Sequence, residues 1–196
     1  MKKGSLSLRQ LIVSIVLIVI AIAIAALAVV SQLVKSDAPV ERESAFPLLK
    51  GTNLKMENLS VPDDLPGEIK LILVAYDTDQ QVFVDKWLKP LEELNEAYPQ
   101  LAGYYIPLLP TSASNAALPI LGGMTLAAGS DRDRERTIVV FTDVDAFNAL
   151  VDVPDKDEVQ LFLLDADNQI RWHGSGSYDH DTLSSLENVL AEVTVE

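Results

Sequence analysis

The sequence predicts an α/β domain in which a parallel sheet ends in an antiparallel hairpin, with helices on both faces. Two observations carry that expectation. Between residues 69 and 151, short apolar runs alternate with stretches of 3.6-residue periodicity. After Pro154 the pattern becomes two strand-like runs joined by a turn and closed by an amphipathic helix. Alternation of strand and helix points to parallel pairing, because a parallel neighbour can be reached only through a crossover.

Residues 11–30, "LIVSIVLIVIAIAIAALAVV", carry no charge. At about 1.5 Å per residue they match a hydrocarbon core of roughly 30 Å. A transmembrane helix is therefore expected over 11–34. Lys2, Lys3 and Arg9 precede it, whereas Lys35, Asp37, Glu41, Arg42 and Glu43 follow. The positive-inside rule then places a cytoplasmic tail at 1–10 and the remainder outside the cell membrane, as a single-pass protein. The alternative is export after signal-peptide cleavage, suggested by "ALA" at 26–28. Residues 35–66 hold Pro39, Pro47, Pro62 and Pro66 without sustained periodicity, and read as a tether and irregular arm in which "FPLLKG" could dock on the domain at 67–196.

Within that domain "IKLILVAY" (69–76), bounded by Gly67 and Asp77, has the continuous apolar character of a buried parallel strand. An amphipathic helix is expected over 77–99. Phe83, Val84, Trp87, Leu88, Leu91, Leu94 and Tyr98 form its apolar stripe, while Asp85, Lys86, Lys89, Glu92, Glu93 and Glu96 fill the other side. Pro90 lies in the middle, where a missing N–H and a crowding ring cost on the order of 3 kcal/mol unless the helix bends. Further expectations are a strand at 101–109, a helix at 114–129 weakened by Pro119, Gly122 and Gly123, a strand at 137–142 and a short helix at 145–151. "VQLFLLD" (159–165), the turn "ADN" and "QIRWHG" (169–174) form the hairpin, and 179–193 the last helix, capped by Asp179.

Charge excludes one class of partner. All 29 acidic residues lie beyond the apolar run, against 12 of the 15 basic ones, so that part carries −17. Phosphates would be repelled, and the one arginine cluster, "DRDRER" at 131–136, is neutralised residue by residue, so nucleic acid is not an expected partner. With no cysteine in 196 residues, there is neither disulfide, thiolate metal site nor thiol nucleophile. Stability must come from packing.

The order of elements resembles the thioredoxin fold, most sharply around Pro90. In thioredoxin-like proteins a buried strand leads into a helix with C-x-x-C in its first turn and a kinking proline in its interior. "KPLEELNEAY" (89–98) is similar to the stretch after that motif, and Val82, Phe83, Val84 and Asp85 stand where C-x-x-C would sit. The family's cis-proline would fall near Val159, whereas Pro154 comes five residues too early. The resemblance thus implies the scaffold without its redox apparatus.

A narrower resemblance covers "VQLFLLDADNQIRWHGSG" (159–176), which is similar to the end of the mitochondrial ATP-synthase assembly-factor family, with Arg171, Trp172, Gly174 and Gly176 carrying the signal. It implies a protein partner that is membrane-associated. Since thioredoxin-like proteins bind substrates at the start of the Pro90 helix, the expected partner surface is Val82, Phe83, Asp85 and Lys86 with Arg171 and His173. Pro90, Trp87, Trp172, Gly174 and Gly176 are expected to be structural.

Strand alternation places Ile170 and Trp172 on one face and Arg171 and His173 on the other. His173 and His180 could in principle converge with Asp179 and Asp181 on a metal, but His180 reads as a first-turn helix residue, so neither metal nor cofactor is expected. Asp77, Asp143 and Asp165 each close a strand; Asp77 and Asp143 can share a sheet edge and do acid–base work, or simply cap and turn. The sequence therefore favours a non-catalytic, membrane-anchored, partner-binding domain serving as an assembly factor. A small-ligand binder or non-thiol enzyme using Asp and His residues at the sheet edge is the alternative.

Overall fold

The computed structural model describes residues 44–154 and 156–194. The expected cytoplasmic tail at 1–10, the transmembrane helix at 11–34 and the start of the tether lie outside the described residues. Among those described, no helix is long and apolar enough to cross a membrane.

The strands are β1 (Ser44–Ala45), β2 (Leu49–Asn53), β3 (Asn58–Val61), β4 (Ile69–Ala75), β5 (Leu101–Pro110), β6 (Ile138–Thr142), β7 (Gln160–Leu164) and β8 (Gln169–Ser175). The helices are α1 (Gln81–Ala97), α2 (Ala117–Ala127), α3 (Asp131–Arg136), α4 (Val144–Val151) and α5 (His180–Val193). The spatial order is β1-β8-β7-β4-β5-β6-β2-β3. As expected, β4 pairs parallel with β5 and β5 with β6, while β4–β7 and β7–β8 are antiparallel.

Every residue of β4 is buried, as a central strand covered on both faces requires. Its alternation builds two cores. Ile69, Leu71, Leu73 and Ala75 pack with Val84, Trp87 and Leu94 of α1 and Leu186 and Leu190 of α5. Ile72 and Val74 pack on the other face with Val144, Phe147 and Val151 of α4 and with Phe46, Leu49, Val61 and Leu65 of the N-terminal arm. Lys70 is buried at the start of β4, with its ammonium 2.9 Å from Asn168 Oδ1. Burial pulls its pKa down, partly offset by Asp165 and Asp63.

The arm is where the structure departs most from expectation. In place of an irregular segment, residues 49–61 form the β2–β3 hairpin, and β2 extends the sheet by pairing with β6. β1 meanwhile pairs with β8, at the other end of the strand order. Four residue steps, from Ala45 to Leu49, reach at most about 14 Å. Six strand spacings laid flat would span roughly 29 Å. The sheet must therefore curl around the arm's face. Phe46 sits inside the curl, edge-on to Phe147 and Phe162 at 5.7 and 5.5 Å. The curl is also visible in β5, which pairs with β4 through Pro107 and with β6 from Leu108 onward.

The "DRDRER" stretch is helix α3, started by Ser130 Oγ accepting from Asp133 N at 3.1 Å, with Arg134 paired to Asp131 at 2.9 Å. A second correction concerns β8. Leu163 pairs with Trp172 but Leu164 pairs with Ile170, so Arg171 is bulged out of register. One extra residue flips the alternation. Ile170 therefore joins the α4 side and Trp172 the α1 side, whereas strict alternation would have put them together.

Pro90 is accommodated within an unbroken α1. It lies in the buried arc with Val84, Trp87 and Leu94, whereas Leu88, about 100° round from Trp87, is 52% exposed. The ring thus contributes to the core that fixes the helix on the sheet.

Candidate binding site at the carboxyl edge of the sheet

The parallel strands β4, β5 and β6 end on the same edge, and a cleft of about 840 Å³ opens there. Such edges are where α/β sheets present binding sites, because the strand-to-helix loops gather beyond them. Asp77 ends β4, and its carboxylate accepts from Asp79 N and Thr78 Oγ1, both at 3.1 Å, capping a 3-10 turn at Thr78–Gln80. Those hydrogen bonds, the Asp79 backbone foremost, hold the Asp77 carboxyl below the usual range. Asp143 ends β6 and caps α4 by accepting from Ala146 N at 3.0 Å. The two carboxylates do share one cleft, yet each has a structural hydrogen bond to keep.

Gln80 organises this edge. It is 4% exposed; its Oε1 accepts from Tyr76 N and its Nε2 donates to Lys156 O, both at 2.7 Å. The amide thus ties the end of β4 to the loop before β7, where the thioredoxin-like cis-proline would lie. That loop has the exposed Pro154 and the buried Val159; the cis proline peptide found among the described residues is Val61–Pro62. Sequence reading overlooked Gln80, because a glutamine at a helix start resembles any solvated polar residue.

The cleft is strongly anionic, with Asp77, Asp79, Asp143, Asp145 and Asp157 facing one ammonium, Lys156. It suits a cationic group and repels phosphate or carboxylate.

Past the 3-10 turn, α1 begins with Val82, Asp85 and Lys86 exposed and Phe83 half-buried. Lys86 Nζ lies 5.6 Å from the Phe83 ring centroid and 3.3 Å from Ser177 Oγ. Asp85 accepts from Gln81 Nε2 at 2.8 Å. Beneath them Trp87 is fully buried, donating from Nε1 to Gly176 O at 3.1 Å and meeting Tyr178 edge-on at 5.3 Å. Gly176 turns the chain at φ +88°, a conformation that suits glycine. Gly174 has a different reason. A Cβ there would stand 2.3 Å from the Trp172 ring, so the missing side chain is the space the indole fills.

Arg171 and His173 are not gathered with the start of α1. The bulged Arg171 lies 3.7 Å from Asp165, at the opposite end of the hairpin. His173 stacks on Phe162 with centroids 4.7 Å apart and bonds Gln160 Oε1 at 2.8 Å, on the α4 side of the sheet. His180 is exposed at the start of α5, where Asp179 serves as the cap through Thr182 N at 2.9 Å. Asp165 accepts from Asp167 N and Gln169 N, which makes "DADN" the expected turn. Among the described residues no three His, Asp or Glu side chains converge as a metal site requires.

No family model matches the sequence, and no curated protein is similar to it. Solved structures do match. BsSco, a member of the Sco family of cytochrome c oxidase assembly proteins, is similar with a TM-score of 0.55 and 13% identity over 81% of this chain and 97% of that one. Yeast Sco1 matches with a TM-score of 0.50 and 11% identity over 79% of this chain and 97% of that one. Yeast Sco1 with copper bound matches with 0.50 and 12% over 79% and 96%. At these identities the likeness shows the fold, which is thioredoxin-like. A soft metal such as copper selects thiolate and imidazole donors. This chain has no thiol, and its two histidines stand on different elements, so its donor set does not fit copper.

Proposed function

We propose that the protein is a membrane-anchored, extracytoplasmic thioredoxin-like domain that binds a protein partner without thiol chemistry and serves the assembly of a membrane complex. The observation that carries this reading is the start of α1, where the positions of the redox motif hold an exposed Val82 and an exposed Asp85. A surface kept open after its chemistry is removed is suited to docking. The apolar run at 11–30 supports the anchor. The assembly role draws on the C-terminal resemblance to an ATP-synthase assembly-factor family and on a fold similar to that of BsSco, whose family assembles cytochrome c oxidase.

The partner surface is centred on Val82, Phe83, Asp85 and Lys86, next to the anionic cleft. Arg171 and His173 form separate surfaces. The reading as a small-ligand binder or non-thiol enzyme draws on Asp77 and Asp143 sharing that cleft; against it, both carboxylates are used as caps and neither histidine lines it.

Co-purification of the full chain from native membranes tests the proposal. Lys86→Glu should reduce recovery of a specific membrane-complex subunit at least tenfold with an unchanged thermal midpoint, since an exposed charge steers association while adding little stability. Undiminished recovery with Lys86→Glu, together with loss on Asp77→Asn or Asp143→Asn, would move the function to the cleft.

A further inference from the structure

Helix α2 is apolar yet almost uncovered. From Thr111 to Ser130 no residue carries a charge, in a chain whose net charge is −14. Leu121 is the buried residue of α2, packed with Leu54 and Val139, while Ile120 and Met124 are partly covered. The outward side presents Leu118, 71% exposed, and Leu126, 90% exposed, with Pro119, Gly122, Gly123 and Ala127 also exposed. Among the described residues nothing calls for the two glycines. A Cβ added at either would meet nothing within 4 Å, and glycine weakens a helix interior relative to alanine.

We infer that this face is the contact between two copies of the chain, packed as an antiparallel pair of α2 helices with the two-fold axis at Gly122. Leu118, Gly122 and Leu126 stand at successive four-residue steps, so the stripe reads leucine, glycine, leucine in either direction. Antiparallel superposition sets Leu118 of each copy against Leu126 of the other, and the glycines let the backbones approach at the crossing. That self-complementarity is what an isologous interface needs. Charge agrees with it, because two strongly acidic molecules can touch here without opposing carboxylates. A lipid surface fits less well. Two glycines, a proline and an alanine offer it little apolar area, and no Lys or Arg between 111 and 130 would meet headgroups.

The absence of native cysteine makes the test direct. In the full chain held in detergent micelles, Leu118→Cys and Leu126→Cys variants are oxidised with copper phenanthroline, alone and mixed. The mixture should cross-link at least tenfold faster than either alone. Equivalent positions eight residues apart along the helix lie about 12 Å from register in an antiparallel pair. A disulfide needs Cα atoms within about 7 Å. Leu150→Cys, on α4, should not cross-link. Gly122→Ala should raise the thermal midpoint of the dilute chain while weakening self-association at least tenfold, opposite signs that a purely structural glycine would not give. Faster cross-linking of either variant alone overturns the antiparallel pair. Absence of cross-links, with a fluorophore at Leu126→Cys quenched by spin-labelled phosphatidylcholine in vesicles, overturns the second copy in favour of a lipid surface.

Discussion

Helices α1 and α2 lie against the same face of the sheet and bury very different shares of themselves. α1 buries Val84, Trp87, Pro90 and Leu94 and turns a charged surface outward; α2 buries Leu121 and turns leucines and glycines outward. Strand parity shows that the face is shared, for Tyr105 packs under α1 and Leu109 under α2, while Ile106 and Leu108 face the α4 core. The first helix is explained by its own domain, down to a proline that serves the core. The second is not, and an element unexplained by its own fold points to something outside it.

Truncation should separate the two helices most sharply. Trp87→Ala removes a fully buried indole together with its hydrogen bond to Gly176 O and should cost roughly 3–5 kcal/mol. Leu121→Ala, at a thinner core, should cost at the low end of the usual range, about 2 kcal/mol. Urea unfolding checks both, and equal losses would mean that α2 is held as firmly as α1.

Glycines sharpen the contrast. Gly174→Ala drives a methyl into the Trp172 ring and should destabilise by about 1–3 kcal/mol. At Gly122, where the space is open, the same change should stabilise the isolated chain. A smaller effect is expected at Pro90. Alanine there restores a backbone hydrogen bond and loses some buried ring, for a net change within about 1 kcal/mol in urea unfolding. A loss of several kcal/mol would show that the ring fixes the path of α1.

The pH response should be smaller still. Hydrogen bonds from the Thr182 side chain first, and its backbone next, hold the Asp179 carboxyl below the usual range. A carboxylate lowered on folding contributes stability above its unfolded value of about 3.9, and that contribution disappears as the pH falls through the lower folded value. Asp179→Asn keeps an acceptor at the α5 cap but cannot titrate. Below about pH 4 its thermal midpoint should fall less than that of the parent chain. Parallel curves for the two would exclude Asp179 from the acid response.

Elements with strong periodicity were legible in the sequence. β4, α1, β5, β6, the β7–β8 hairpin and α5 fall within a residue or a few of their expected places, because burial of one face imposes a repeat and burial of both faces a continuous apolar run. The β2–β3 hairpin was not, since its strands "LKGTN" and "NLSV" are short and half-exposed and gain their pairing from β6, distant in sequence. The bulge at Arg171 was equally hidden. It keeps every residue type in place and changes only which face each one meets; the expectation that Arg171 and His173 join the start of α1 rests instead on the thioredoxin-like resemblance, and the two lie beside Asp165 and on the Phe162 ring. α3 is hidden in a stretch of balanced charge, because its i,i+3 pairing and Ser130 cap are local signals that six polar residues rarely advertise.

Docking at the start of α1 is the central claim, and site-specific photocross-linking tests it most directly. A benzophenone amino acid placed at Val82 of the full chain, in native membranes, should capture one membrane-complex subunit on irradiation, and the same group at Leu150 on α4 should not. Equal capture at both positions, or none at Val82 with the domain folded and in the membrane, would contradict the account.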